Sequence, residues 1–146
     1  MKRIRQILYA TDFSAASGPA FARAVELAKA DQARLFLLHV LMPPSPFVAG
    51  ELPSSYLELQ AHARRDAGRR LRAVLARADK AGVRAQAKLV QGAPAEQIIR
   101  LARRVRADLI VIGTHGRSGF SRLFMGSVAQ RVLQLAQVPV LTVRGR

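Results

Sequence analysis

The chain has 146 residues, half of them apolar, enough for one domain with a substantial core, and no apolar run is long enough to cross a membrane. The absence of cysteine excludes disulfides, thiolate catalysis and cysteine-ligated metal. A formal charge of +15, from 24 Lys and Arg against 9 Asp and Glu, favours phosphate and other oxyanions. It would also attract nucleic acid weakly and without sequence preference, because the few aromatic residues are not interleaved with the arginines. The basic start, Met1-Lys-Arg-Ile-Arg, leads to no apolar signal-peptide core, so a cytoplasmic protein without membrane insertion is expected.

Taken in order, Ile4–Ala10 reads as a first strand that ends at Thr11-Asp12. Ala16, Ala20, Ala24, Leu27 and Ala28 then recur at helical spacing, with Ser14 or Ser17 as cap and Pro19 in the first turn. Ala33–Val40 is a largely apolar second strand, as expected of a parallel sheet covered on both faces. Prolines 43, 44 and 46 stop it, and the loop to Pro53 would cover any site. A long helix from Tyr56 to Lys80 carries Leu57, Ala61, Leu71, Val74, Leu75 and Ala78 on one side, with His62, Arg65, Arg69 and Arg72 facing water. Arg84–Val90 is a weaker strand. Pro94 opens a third helix whose buried stripe is Ile98, Leu101, Ala102 and Val105. Leu109–Ile112 is the fourth strand, Val128–Ala136 the fourth helix, and Val138–Val143 the last strand. This alternation makes an open, parallel, five-stranded α/β sheet with helices on both faces, Rossmann-like, and a single domain over residues 1–146. No internal repeat is present.

Between the fourth strand and the fourth helix lies Gly113-Thr-His-Gly116-Arg-Ser-Gly119-Phe-Ser-Arg122-Leu-Phe-Met-Gly126-Ser127. A strand, a glycine-rich loop and a helix start can turn several backbone N–H groups toward an anion. Ser127 and Gln130 have the spacing of a capping box. A plainer reading is that the glycines only permit turns with positive φ. The loop has no G-K-[S/T] ending and the first strand no G-x-G-x-x-G. Three scattered histidines, His39, His62 and His115, have no metal-ligand spacing.

Gly113, Gly116, Gly126 and Ser127 reproduce G-x2-G-x9-G-[S/T], and with Ile7–Ser14, His39-Val40 and Val138–Val143 the sequence resembles the ATP-binding branch of the universal stress protein family. The resemblance implies strand order 3-2-1-4-5, which sets the ends of strands one and four side by side at the topological switch point. It also implies roles. Asp12, assisted by the backbone of Thr11, would accept hydrogen bonds from ribose hydroxyls. Val40 would meet the adenine edge through its backbone. Gly113, Gly116, Gly126 and Ser127 would take the phosphates, with Arg117 adding positive charge. Ala10 stands where the family often has proline. Apart from the family, Asp12 could cap a turn, Val40 and His39 could be core, and Arg117 could be a solvated cation. Magnesium would come with the nucleotide phosphates, since no second carboxylate converges on Asp12. The implied function is an ATP-binding regulator or stress adaptor, a homodimer through its last strand, with an unknown regulatory protein partner. The competing classes are a slow ATPase or phosphotransferase, for which no activated nucleophile or base is evident, and a nonspecific nucleic-acid-binding protein.

Overall fold

The computed structural model describes residues 3–42, 54–115 and 125–145. Within them the chain runs β1 (Gln6–Ala10), α1 (Ser17–Asp31), β2 (Arg34–Leu41), α2 (Ser54–Lys80), β3 (Ala85–Gln91), α3 (Pro94–Arg104), β4 (Leu109–Gly113), α4 (Ser127–Leu135) and β5 (Val140–Val143). The five strands form one parallel sheet in the order β3-β2-β1-β4-β5. The architecture and the strand order are those expected from the sequence.

Side chains of a strand alternate between its two faces, and here each face has its own core. Ile7, Tyr9, Leu35, Leu37, Leu109 and Val111 point to the side covered by α1 and α2, where Phe21, Ala24 and Leu71 meet them. Leu8, Ala10, Phe36, Leu38, Ile110 and Ile112 point to the side covered by α3 and α4, against Ile98, Ala102 and Val132. Both faces of β1, β2 and β4 are therefore dry, which explains why these strands read as unbroken apolar runs rather than alternating ones. Burying each such side chain contributes roughly 1.5–3 kcal/mol. Arg77 of α2 lies 4.6 Å above the Phe21 ring and ties the two helices on one face together.

Three local expectations are corrected. Leu57 and Ala61 do not join the buried stripe of α2: Leu57 is 53 % exposed, Ala61 is exposed, and in α2 full burial begins only at Ala67. Helical period shows which residues share a face, not how far along a 27-residue helix that face is buried. Neither Ser14 nor Ser17 caps α1. The N-cap is Ala16, and Ser17 turns its hydroxyl back to the Ser14 carbonyl at 2.7 Å. Ser127 is likewise the first residue of α4 rather than its cap. Gly126 occupies that position without a side-chain cap bond, and the Gln130 N–H bonds the Gly126 carbonyl at 3.0 Å.

Asp108, which the sequence marked only as the residue before β4, joins the two central strands at their start. Its Oδ2 accepts from the backbone N–H of Arg5 at 2.9 Å and of Gln6 at 3.0 Å. Asp108→Ala should cost about 1–3 kcal/mol, because two amides lose a charged acceptor. Asp108→Asn, which keeps a carbonyl oxygen there, should cost less. Urea unfolding at neutral pH reads both, and equal stability of the alanine variant and the parent would contradict the assignment.

Candidate functional site

The parallel register pairs Ala10 with Leu38 and with Ile112, so the carboxyl ends of β1, β2 and β4 open on the same edge of the sheet. A cavity of about 530 Å³ lies there. Thr11, Asp12, Val40, Gly113, Gly126 and Ser127, six of the expected site residues, all line it. Gly116 and Arg117, with the rest of residues 116–124, lie outside the described residues, as does the expected covering loop at 43–53.

The chain leaving β1 turns through two consecutive side-chain bonds. The Phe13 N–H donates to Thr11 Oγ1 at 3.0 Å, and the Ser14 N–H donates to Asp12 Oδ1 at 2.9 Å. Such local bonds replace ladder bonds where a strand must stop. Phe13 takes φ 62°, a left-handed conformation costing roughly 1–2 kcal/mol for a residue with a Cβ. Its ring stacks on His39, with centroids 4.3 Å apart and planes 28° from parallel, which offsets that cost. His39 is buried, and its Nδ1 lies 2.8 Å from the Thr11 carbonyl. A carbonyl only accepts, so Nδ1 carries the proton and donates. His39 thus holds the end of β1 to β2, as a packed and hydrogen-bonded residue would.

Beneath this turn, Tyr9 donates its hydroxyl to the Ser17 carbonyl at 2.8 Å. Thr11 Oγ1 donates to Ser17 Oγ at 3.1 Å. Thr11, Ser17 and His39 are the buried polar residues among those described. They fix the floor on which Asp12 stands.

Gly113 acts by closeness, not by φ. Positive φ among the described glycines falls at Gly82 and Gly92, neither of which lines this cavity. A Cβ at Gly113 would stand 3.2 Å from the Ala16 carbonyl oxygen and 3.7 Å from the Ser17 Cα, so Gly113 lets the end of β4 approach the start of α1. Gly126 has φ −60° and ψ 151°, and its N–H bonds the Thr114 carbonyl. The N–H groups of the first α4 residues, Ser127 to Ala129, precede the first intrahelical bond and carry the positive end of the helix dipole. These three residues line the cavity.

Away from α4 the wall is mainly apolar, with Leu38, Val40, Leu41, Ala63, Ala67 and Ile98. Asp66 of α2 also lines it, a residue that nothing in the local sequence marks. Hydrogen bonding to Arg69, with the nearby charge of Arg70, holds its carboxyl below the usual aspartate range. The cavity thus combines a helix N-terminus suited to an anion with a largely apolar wall elsewhere. Among the described residues no cluster of three His, Asp or Glu is arranged to hold a metal ion.

An open parallel sheet with a cavity at its topological switch point defines the Rossmann-like class of ligand-binding α/β folds. Residues 3–144 match the model of the universal stress protein family. A universal stress protein of Thermus aquaticus is 38% identical over 140 residues, covering 96% of this chain and 98% of the relative. The universal stress protein MJ0531 of Methanocaldococcus jannaschii is 34% identical, covering 96% and 82%. The chain belongs to the universal stress protein family. Among solved structures, MJ0577 of the same archaeon superposes with a TM-score of 0.89 at 25% identity, covering 99% of both chains. A universal stress protein in complex with cAMP superposes with a TM-score of 0.71 at 28% identity, covering 99% of this chain and 100% of that one.

Burial pushes the Tyr9 hydroxyl above the ordinary tyrosine value, and the Asp12 charge adds to the rise, while hydrogen bonds with Thr11 and Ser17 oppose it. Above the ordinary value near pH 10, the unfolded chain loses this proton while the folded chain keeps it. The contribution is therefore complete below that pH and is lost as pH rises through the folded value. Tyr9→Phe should cost about 0.5–1.5 kcal/mol at neutral pH through the lost hydrogen bond. Its stability should then fall less steeply than that of the parent above pH 10. Parallel stability–pH curves for the two proteins would contradict this.

Proposed function

We propose that this chain binds ATP in the cavity at the ends of β1, β2 and β4 and acts as a nucleotide-dependent regulator or stress adaptor. The observation that carries the reading is the meeting of Asp12, Val40, Gly113, Gly126 and Ser127, from widely separated parts of the chain, on one cavity of about 530 Å³. The cAMP complex of a related universal stress protein supports an adenine nucleotide as the ligand class. In this reading the adenine packs on the apolar wall beside Val40, the ribose hydroxyls donate to Asp12, and the phosphates meet the N–H groups and hydroxyl at Ser127. Gly116 and Arg117 complete the phosphate side, and magnesium arrives with the phosphates.

The same reading makes hydrolysis slow. Asp12 is engaged in the turn after β1, and its place in the reading is at the ribose, not at an attacking water. ATP turnover at roughly 1 s⁻¹ or faster, in the ordinary enzyme range, would favour the ATPase or phosphotransferase alternative. We further propose a homodimer through β5. This strand is a sheet edge, and its four residues are only partly buried, so pairing with a second copy would cover an edge that otherwise invites association. Sedimentation that shows monomer alone up to near-millimolar protein with ATP present would overturn the dimer.

Asp12 has a structural duty as well, because Oδ1 holds the Ser14 N–H. Asp12→Ala would disturb the turn and the ligand together. Asp12→Asn keeps a carbonyl acceptor for the turn and removes the charge, so it isolates the ribose contact. Calorimetry should show weaker ATP binding to Asp12→Asn by about 1.5–3 kcal/mol, the range for a hydrogen bond to a charged group. The loss should be much smaller for a 2′,3′-dideoxy analogue. Equal losses for the two ligands would remove Asp12 from the ribose site.

A further inference from the structure

Helix α2 alone carries six arginines. A second cavity, of about 520 Å³, lies between α2 and the edge strand β3. His62, Arg65, Arg69 and Arg72 line it, with Gly68 and Leu89. At 3.6 residues per turn His62 and these three arginines fall within about 80° of one another and span about 15 Å along the helix. Arg64 flanks them. The carboxylate among the described lining residues is Asp66, and Arg69 at 2.7 Å and Arg70 at 3.0 Å already occupy its two oxygens. Among the described residues Arg64, Arg65 and Arg72 form no ion pair with an acid. The groove therefore keeps a surplus of guanidinium groups, and a stable helix holds them in line.

We propose that this groove docks the phosphate backbone of double-stranded nucleic acid. A duplex carries closely spaced phosphates on both strands, so a stripe of guanidinium groups about 15 Å long can reach more than one of them. Guanidinium groups suit such oxyanions because they donate two bonds in a planar fork. Single strands are usually held on aromatic platforms, and among the described residues no Phe, Tyr or Trp lines this groove. The chemistry therefore favours a duplex, bound without sequence preference because phosphate contacts position but do not specify. Asp66 lines both cavities, so the duplex would lie next to the first one. This inference does not depend on which ligand that first cavity takes.

The test compares two triple variants of equal charge by fluorescence anisotropy, using a labelled 20-base-pair duplex of arbitrary sequence over a range of salt concentrations. Arg65→Ala/Arg69→Ala/Arg72→Ala removes the stripe. Arg100→Ala/Arg103→Ala/Arg104→Ala removes three exposed guanidiniums from α3. Alanine favours helix at exposed positions, and circular dichroism is the check that both variants fold. The α2 triple should bind at least tenfold more weakly than the parent, and its log K against log salt slope should shrink by about 2–3. The α3 triple should bind within about twofold of the parent, a tolerance fixed by the few phosphate contacts it could lose. Equal loss in the two triples would show diffuse charge and overturn the proposal. Tighter binding to the single strand than to the duplex would overturn it too, as would binding to anionic phosphatidylserine vesicles with none to the duplex.

Discussion

Parallel pairing of β1 with β4, from Ile7–Leu109 to Ala10–Ile112, is the constraint on which the rest of the molecule depends. It joins strands about 100 residues apart in the chain, and both are dry on both faces. A parallel pair needs a crossover, and right-handed crossovers leave the carboxyl ends of these two strands adjacent at the switch point. The turn at Thr11–Ser14 and the start of α4 are then brought to the same cavity. Asp108 fastens the other end of the same pair, through the amides of Arg5 and Gln6. The cavity is thus a consequence of topology before any residue in it contributes chemistry.

The layout of the site follows from what each element has to satisfy. A strand that ends inside a domain must find partners for its last backbone groups, and β1 does so with the Thr11 hydroxyl, the Asp12 carboxylate and the His39 imidazole. The same bonds hold the Asp12 carboxylate at the cavity edge. At the opposite wall, α4 begins at a glycine with no side-chain cap, so its first N–H groups face the cavity without a serine or aspartate of their own to bond. A neutral residue there leaves the positive end of the helix available to an incoming anion. Ser127, as the first helical residue instead of the cap, contributes its N–H to this set.

Much of the fold was legible because the strongest signals are local. The apolar runs at Leu35–Leu38 and Leu109–Ile112 stand for strands buried on both faces, and Pro94 marks a helix start wherever the rest of the chain lies. Strand order was not local; it came from the family resemblance carried by the glycine spacing and Asp12. The errors share a cause as well. Leu57 and Ala61 keep the helical period of α2, but period says nothing of whether the sheet extends beneath them. Ser127 and Gln130 have capping spacing, but the cap depends on where the backbone leaves the helix, one residue earlier. Asp66 was invisible as a cavity residue because only the packing of α2 on β2 and β3 brings it there. The arginines of α2 were read as solvated, which they are; their alignment beside the edge of β3 is a property of the fold.

The central claim is that the topological switch point of this universal stress protein holds an adenine nucleotide. Native mass spectrometry of freshly purified protein, before and after saturation with ATP, tests it most directly. The account predicts the added mass of one adenine nucleotide per chain in the parent. It predicts loss of that mass in Gly126→Val, whose side chain would obstruct the backbone approach at the start of α4. Unliganded chains after saturation, or equal retention of the nucleotide by parent and variant, would contradict it.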